Sequence, residues 1–186
     1  MNLFPMRPQR VPYGSYQYDK LLAARWKPIA CQGCWAIEPK LDGMRVLAIV
    51  DPNGVALRSR HGNVVNNGEV ADAVGKLRIN WSNIRGGDKR TGSFVFDGEL
   101  YQGRYHIFDV PAVIGDYAYR RAWMEKNVFR FGGAVTRGMQ LTCDDPWRWV
   151  MERGYEGLVF KYLHSTYAWQ YSPDSPPSSQ WCKVKP

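Results

Sequence analysis

The residues best suited to chemistry lie between Glu38 and Arg45, in the sequence EPKLDGMR. A lysine amine attacks electrophiles only when it is unprotonated, and burial or neighbouring cations lower its pKa from about 10.4. Lys40 is therefore the candidate nucleophile, and Asp42 is placed to hold its amine. Gly43 lets the backbone turn where a side chain would clash, and Arg45 is a permanent cation that suits a phosphate or a ribose oxygen. Taken alone, the motif is equally consistent with a solvated surface loop that enters a strand.

Charged residues also recur where predicted strands end, as four cations and two carboxylates. These residues are Lys40, Arg60, Glu99, Glu156, Lys183 and Lys185. Phosphates need cations, whereas Mg²⁺ needs hard oxygen ligands. Phosphoryl and nucleotidyl transfer depend mostly on positioning and charge neutralisation, and a lysine adds a covalent phosphoramidate. Lys183 and Lys185 lie on one side of their predicted strand, where a solvated face is the usual alternative.

The elements that position these residues are short. Turns over 51–54 and 102–103 join predicted strands into hairpins, and loops are expected over 83–93 and 172–179. Predicted strands cover 35–38, 45–50, 55–60, 94–101, 105–110 and 181–185, and a turn followed by a strand covers 154–161. Predicted helices cover 19–26, 69–77, 117–128 and 146–153. Hairpin-connected strands with a few short helices indicate an α+β fold of largely antiparallel sheets.

Composition indicates a globular chain. It has 186 residues, 45% of them hydrophobic and 23% charged, which is enough for one domain with a core. The net charge of +8 suits a polyanionic partner, although a basic protein without such a partner has the same composition. No apolar run approaches a membrane span, and residues 1–18 contain no apolar signal core. We therefore expect no membrane partner and an intracellular location, cytoplasmic or within a host cell if the protein is viral.

The four cysteines give one short motif. Cys31 and Cys34 have the spacing of half a zinc site or of a redox pair. Cys143 and Cys182 are far apart and form no second half-site. Ordinary reduced thiols are the favoured interpretation.

Taken in order, six segments resemble the motifs of the covalent nucleotidyltransferase superfamily, most closely those of ATP-dependent DNA ligases. The segments are KLDGMR at 40–45 (motif I), SRHG at 59–62 (motif Ia), FDGEL at 96–100 (motif III), IFDV at 107–110 (motif IIIa), EGLVFK at 156–161 (motif IV) and KVK at 183–185 (motif V). The Arg120-Arg121 pair in a predicted helix is also similar to these ligases. The resemblance covers the chain from about residue 36 to 186.

The resemblance implies the domain organisation. A nucleotidyltransferase (ATP-grasp-like) domain is expected over 31–186, with largely antiparallel sheets, flanking short helices and no oligonucleotide-binding (OB) domain. An N-terminal arm and short helix precede it over 1–30. Because these ligases continue into an OB domain whose motif VI orients the pyrophosphate, weakened self-adenylation is expected here. An OB domain absent from this chain is an expected partner.

The resemblance also implies the reaction and its residues. Lys40 attacks the α-phosphate of ATP, the AMP passes to a DNA 5′-phosphate, and the 3′-hydroxyl then seals the nick in double-stranded DNA. The implied contacts are Glu38 with adenine, Arg45 and Glu99 with ribose, Phe108 with the base, Lys183 and Lys185 with the α-phosphate, Glu156 and Glu99 with Mg²⁺ or Mn²⁺, and Ser59 and Arg60 with DNA.

Two other functions stay open from the sequence. One is a related enzyme with another acceptor, an RNA ligase or an mRNA-capping guanylyltransferase. The other is a non-catalytic module that binds nicked DNA. The intact Lys40 argues against a pure binder, which has no need of that lysine.

Overall fold

The computed structural model describes residues 4–24, 35–79, 93–129, 131–170, 172 and 174–186. Within these ranges the chain forms eleven strands and four helices. In chain order they are β1 (Pro8–Pro12), α1 (Tyr16–Ala23), β2 (Trp35–Lys40), β3 (Met44–Asp51), β4 (Gly54–Ser59), α2 (Gly68–Gly75), β5 (Arg78–Ile79), β6 (Phe94–Tyr101), β7 (Arg104–Asp109), α3 (Tyr117–Asn127), β8 (Val128–Phe129), β9 (Val135–Arg137), α4 (Pro146–Glu152), β10 (Gly157–Tyr162) and β11 (Ser178–Lys185). The predicted α+β class is confirmed.

The chain folds into two compact units, each built from separate segments. Unit 1 consists of the described residues in Met1–Pro5, Gly43–Gly138 and Thr166–Ser175; unit 2 consists of those in Met6–Asp42, Met139–Ser165 and Pro176–Pro186. The predicted division into an arm over 1–30 and a domain over 31–186 stays a prediction.

Unit 1 is built on a five-stranded sheet in the order β4-β3-β6-β7-β9. Its neighbouring strands are antiparallel except for the parallel pair β7 and β9. Strands β5 and β8 form a small second sheet. Apolar side chains of the large sheet pack with α2 and α3 in one core, which includes Val46, Val74, Phe96, Ile107 and Trp123.

A buried ion pair fastens α3 to β7 in this unit. The Arg120 guanidinium donates from Nε to Asp109 Oδ1 at 2.7 Å and from a terminal nitrogen to Oδ2 at 2.9 Å. Burial alone would lower the pKa of Arg120, but attraction to Asp109 raises it above its ordinary value. Arg120, one of the arginine pair that is similar to these ligases, therefore holds a helix against the sheet.

Unit 2 is built on a four-stranded sheet in the order β1-β11-β10-β2. Strand β1 runs parallel to β11, and the other neighbours are antiparallel. One face of the sheet carries the core, in which Val11, Leu158 and Val184 pack with Tyr18 of α1 and Val150 of α4. Alternation along the strands sends the intervening residues, the charged ones among them, to the opposite face.

Several local predictions differ from the structure in position. Helix α1 begins at Tyr16, three residues before the predicted start at Asp19, because the Ser15 side chain caps it by accepting from the Tyr18 N–H. Asp145 caps α4 by accepting from the Arg148 N–H at 2.9 Å. The predicted Cys31 and Cys34 motif and residues 83–92 of the predicted loop lie outside the described residues.

No helix of the described segments is long and apolar enough to cross a membrane.

Candidate functional site

The candidate nucleophile Lys40 is the last residue of β2, as the sequence predicted. It pairs in register with Gly157, the first residue of β10. The backbone N–H of Glu156 donates to the Lys40 carbonyl at 3.0 Å. This bond extends the ladder by one residue and brings the Glu156 side chain beside the lysine.

One carboxylate of unit 2 bridges two ammonium groups. Lys40 Nζ donates to Glu156 Oε2. It also donates to the Leu41 carbonyl oxygen, which is 3.3 Å away. Lys185 Nζ pairs with Glu156 Oε1. The side chains of Lys40 and Glu156 are each 19% exposed, so the cluster is shielded but reachable. The structure places Glu156 against the Lys40 amine, and the expected role of Asp42 in holding that amine stays a prediction.

Gly157 makes the bridge possible because it lets β10 and β11 approach closely. Its φ of +149° lies in the region that favours glycine, and a Cβ at this position would overlap the backbone carbonyl of Val184. Leu158 pairs with Val184, so Gly157 is the next residue in register toward Lys185. The two lysines therefore flank a position that has no side chain.

Neighbouring charges change the pKa of Lys185. Desolvation lowers the pKa of the Lys185 ammonium, and the nearby Lys40 and Arg10 cations lower it further against an opposing effect of Asp42. A second positive charge beside Lys185 is disfavoured for the same reason. The Glu156 carboxylate, which contacts both ammonium groups, favours their charged forms and so opposes this repulsion.

A second, buried ion pair lies on the same sheet. Lys161 Nζ lies 2.8 Å from Glu38 Oε2 and 4.5 Å from the centroid of the Trp181 ring. Lys161 is 1% exposed and Glu38 is 5% exposed. Buried ions of this kind persist only when they are paired, so the two residues stabilise each other. The predicted contact of Glu38 with adenine stays a prediction.

In unit 1, Arg45 is held by a carboxylate that the sequence analysis did not single out. Arg45 donates from Nε to Asp97 Oδ1 at 3.0 Å and from a terminal nitrogen to Oδ2 at 2.5 Å. The Tyr167 hydroxyl donates to the same Oδ2 at 2.6 Å. Asp97 is fully buried. These bonds fix the guanidinium in one orientation.

The environment keeps this network in one protonation state. Burial alone would lower the pKa of Arg45, but attraction to Asp97 raises it well above its ordinary value. Burial, followed by the nearby Asp97 charge, raises the pKa of the Tyr167 hydroxyl. Arg45 therefore stays charged and Tyr167 stays neutral across the physiological range.

The other predicted nucleotide contacts of unit 1 lie near Arg45. Glu99 is its cross-strand partner on β6, and the Arg45 guanidinium carbon lies 5.5 Å from the centroid of the Phe108 ring. Phe108 is partly buried, on the face of β7 opposite the core residues Tyr105 and Ile107. The structure brings these three residues together, and their predicted contacts with ribose and base stay predictions.

The predicted DNA-contacting residues lie at the end of β4. Ser59 is the last residue of the strand, and its hydroxyl accepts from the His61 N–H at 3.3 Å. Arg60 is exposed and donates from Nε to the His61 ring at 2.9 Å. Contact with DNA stays a prediction for both.

The predicted metal site has one carboxylate that fits the role. Within the described ranges, no group of three or more His, Cys, Asp or Glu side chains could hold a metal ion. Mg²⁺ is commonly bound through one or two carboxylates together with substrate phosphates, and Glu156 beside the candidate nucleophile suits that arrangement. Glu99 belongs to unit 1 and Glu156 to unit 2, and their joint role stays a prediction.

Three residues that shape these sites were not predicted from the sequence: Asp97, Lys161 and Tyr167. Asp97 lies inside the FDGEL segment but on the strand face opposite the core residues Phe94 and Phe96, where a carboxylate is usually solvated, so the pattern did not predict its burial. Lys161 lies likewise within the EGLVFK segment. Tyr167 gave no local signal, because its partner Asp97 is far away in the sequence.

Comparison with known proteins bears on the fold. No protein-family model matches the chain, and no curated protein is significantly similar to it. Among solved structures, it is similar to mycobacterial DNA ligase D complexed with ATP and MES, with 20% identity, a TM-score of 0.57, and coverage of 96% of this chain and 60% of that one. The ligase domain of the M. tuberculosis enzyme gives 19% identity, a TM-score of 0.57, and coverage of 96% and 59%.

A structure from the Lig E DNA ligases, described as binding DNA with a minimal scaffold, is 18% identical, with a TM-score of 0.59 and coverage of 100% of this chain and 69% of that one. The chain thus spans about 60% of the length of the two mycobacterial structures. At these identities the likeness shows the fold. The chain therefore shares the fold of these ligase structures, and the predicted ATP-grasp-like character and absence of an OB domain stay predictions.

Proposed function

We propose that this chain is a catalytic domain of an ATP-dependent DNA ligase, which forms a lysyl-AMP at Lys40 and passes the AMP to a DNA 5′-phosphate. The observation that carries the proposal is the bridge from Lys40 through Glu156 to Lys185. It places a candidate nucleophile beside a second cation, on a fold shared with DNA ligases. A lysine on a solvated surface would need neither the Glu156 carboxylate nor the Lys185 ammonium beside it.

The first step is attack by the neutral Lys40 amine on the α-phosphorus of ATP. A nitrogen–phosphorus bond forms, the bond from that phosphorus to the oxygen bridging the β-phosphate breaks, pyrophosphate leaves, and the nitrogen gives up a proton. The positive charge of Lys185 opposes protonation of Lys40, whereas the Glu156 carboxylate in contact with Lys40 favours it, and the amine must lose its proton before it attacks. Lys183 and Lys185 neutralise charge on the phosphate under attack.

In the second step, an oxygen of the DNA 5′-phosphate attacks the same phosphorus, and the nitrogen–phosphorus bond to Lys40 breaks as the nitrogen regains a proton. In the third, the 3′-hydroxyl attacks the DNA phosphorus, a phosphodiester forms, and AMP leaves. Mg²⁺, when bound, would supply neutralisation of phosphate charge, and Glu156 is the residue that would hold it.

The test is the intact mass of the protein after incubation with ATP and Mg²⁺. We expect the wild type to gain one AMP and Lys40→Ala to gain none. Lys76→Ala, which removes an exposed lysine at the end of α2, is the matched control and should gain the same AMP. An adduct that persists in Lys40→Ala would reject the assigned nucleophile.

Two further substrates separate the remaining functions. A nicked duplex that already carries 5′-AMP should be sealed by the wild type without ATP, which a non-catalytic binder cannot do. Transfer from GTP in place of ATP would favour a capping guanylyltransferase, and sealing restricted to RNA ends would favour an RNA ligase. Either result would replace the DNA ligase assignment.

A further inference from the structure

The polar face of the unit 2 sheet carries an arginine for which the reaction above has no role. Arg10 lies on β1 and is exposed. Among the described residues, no carboxylate forms an ion pair with its guanidinium. Arginine presents five donors in a planar fork that matches phosphate oxygens.

The register of β1 and β11 places Arg10 on the same face as the lysines of β11. Arg10 pairs with Lys183, and Val11 pairs with Val184. Both valines are fully buried in the core. Since residues paired across strands point to one side of a sheet, Arg10 and Lys183 point away from the core, together with Lys185.

Continuing across the sheet, the same face reaches the candidate nucleophile. Val159 of β10 pairs with Lys183 on one side and with Glu38 on the other. One step along the strands, Gly157 pairs with Lys40. All four strands therefore contribute to this face.

The described residues of this face carry more positive than negative charge. The carboxylates on or near this face are Glu38, which pairs with Lys161, Glu156, which pairs with both Lys40 and Lys185, and Asp42, whose charge acts on Lys185. Arg10 adds a cation without adding a carboxylate. Its charge also contributes to lowering the pKa of Lys185, in agreement with its place in the register. Such a surplus favours a ligand with several phosphates.

We propose that Arg10 contacts the phosphates of ATP beyond the α-phosphate, which leave as pyrophosphate. This rests on the proposed function, because it assumes that Lys40 is adenylated. In-line displacement puts the leaving group on the far side of the α-phosphorus from the attacking nitrogen. Neighbouring strands are about 4.8 Å apart, so β1 lies about 14 Å from β2, with the lysines of β11 in between. Arg10 thus stands beyond Lys185 as seen from Lys40.

The first test uses inorganic tripolyphosphate and measures its affinity by titration calorimetry. Arg10→Ala should weaken binding about tenfold, because a charge-assisted contact is lost, and Arg10→Lys should recover part of it. Arg148→Ala is the matched control, because α4 packs on the opposite, apolar face of the sheet, and it should bind as the wild type does. Circular dichroism establishes that each variant is folded.

The second test separates the first chemical step from the last. Arg10→Ala should lower kcat/KM for lysyl-AMP formation from ATP about tenfold, yet seal a pre-adenylated nick within twofold of the wild-type rate, since no pyrophosphate leaves in that step. Loss of sealing with unchanged tripolyphosphate affinity would assign Arg10 to DNA phosphates and overturn the proposal. So would equal affinity for tripolyphosphate in Arg10→Ala and wild type. Tripolyphosphate binding needs no adenylation, so the two proposals can fail independently. If the proposed function is wrong, the wild type binds tripolyphosphate but gains no AMP.

Discussion

At the scale of residues, the two units hold the cations of their candidate sites in different ways. Lys40 and Lys185 share one partly exposed carboxylate, so their charges can respond to a ligand. Arg45 is bound on two nitrogens by a fully buried carboxylate, so its charge and direction are fixed. The first arrangement suits a group that must change its protonation state, and the second suits a group that positions a ligand.

Replacing Asp97 with asparagine should destabilise the protein strongly. The change leaves the guanidinium of Arg45 without its anion in a largely buried site, which costs about 3 kcal/mol of unfolding free energy. Tyr167→Phe removes only one hydrogen bond to the carboxylate and should cost about 1.5 kcal/mol. Urea denaturation of the two variants and the wild type measures both effects, and an Asp97→Asn protein as stable as the wild type would refute the importance of the pair.

The raised phenol pKa values predict lower stability in alkali. Burial is the main cause for Tyr105 and Tyr167, with the Asp97 charge next. Above a pH of about 10 the unfolded chain releases these protons while the folded chain keeps them, so the free energy of unfolding falls as pH rises, by about 1.4 kcal/mol per pH unit for each phenol. Below pH 10 the contribution is fully present.

Urea denaturation between pH 9 and 11 checks this slope. Comparison of the wild type with Tyr167→Phe cancels the contribution of every other titrating group. The variant should show the shallower loss of stability, and identical slopes would contradict the assignment of a raised pKa to Tyr167.

At the scale of elements, the close approach of β10 and β11 depends on Gly157. An alanine there would combine a strained φ with a collision against the Val184 carbonyl. We expect Gly157→Ala to lower stability by about 3 kcal/mol. Gly68→Ala is the control, because a Cβ at this position of α2 meets nothing within 4 Å and should change stability by less than about 0.5 kcal/mol. Urea denaturation would reject the prediction if the two variants were equally stable.

The sequence predicts those elements whose signals are local. The Asp51–Gly54 turn and the apolar alternation around it define the hairpin of β3 and β4, and residues 94–101 form the strand that was predicted. Strand β1 was expected only as part of an arm, because its short segment begins and ends with proline and only Val11 faces the core. Its place depends on pairing with β11, which no local pattern reveals.

The same distinction applies to the candidate sites. Lys40 and Arg45 are recognisable because their motif is contiguous in sequence. Their partners Glu156, Asp97 and Tyr167 come from distant segments. A motif therefore identifies a reactive group, whereas the ions and hydroxyls that set its charge emerge only from the sheet register and the folded loops.

At the scale of the whole molecule, the net charge of +8 should appear in the salt dependence of DNA binding. Each phosphate contact releases counterions and contributes about −0.9 to the slope of log K against log salt. For nicked duplex DNA we expect a slope steeper than about −3, reduced by about 1 in Arg60→Ala and unchanged in Lys76→Ala. Fluorescence anisotropy measures this slope at salt concentrations between about 50 and 200 mM, the range over which phosphate contacts respond. An affinity that does not change with salt would contradict the DNA partner.

The parallel pairing of β1 with β11 has a consequence for how the protein is made. Val11 and Val184 are roughly 170 residues apart in the chain, and a loop of that length closes slowly. The hairpins of β3 with β4 and of β6 with β7 can pair while later residues are still being synthesised, since each needs only its immediate neighbour. In the sheet that carries Lys40, β2 can pair with β10 once residues 157–162 have been added, but β1 has no partner until β11, residues 178–185, follows. A nascent chain therefore carries Lys40 without Glu156 until residue 156 has been added and without Lys185 until residue 185, so the carboxylate bridge forms only after both later segments have been made.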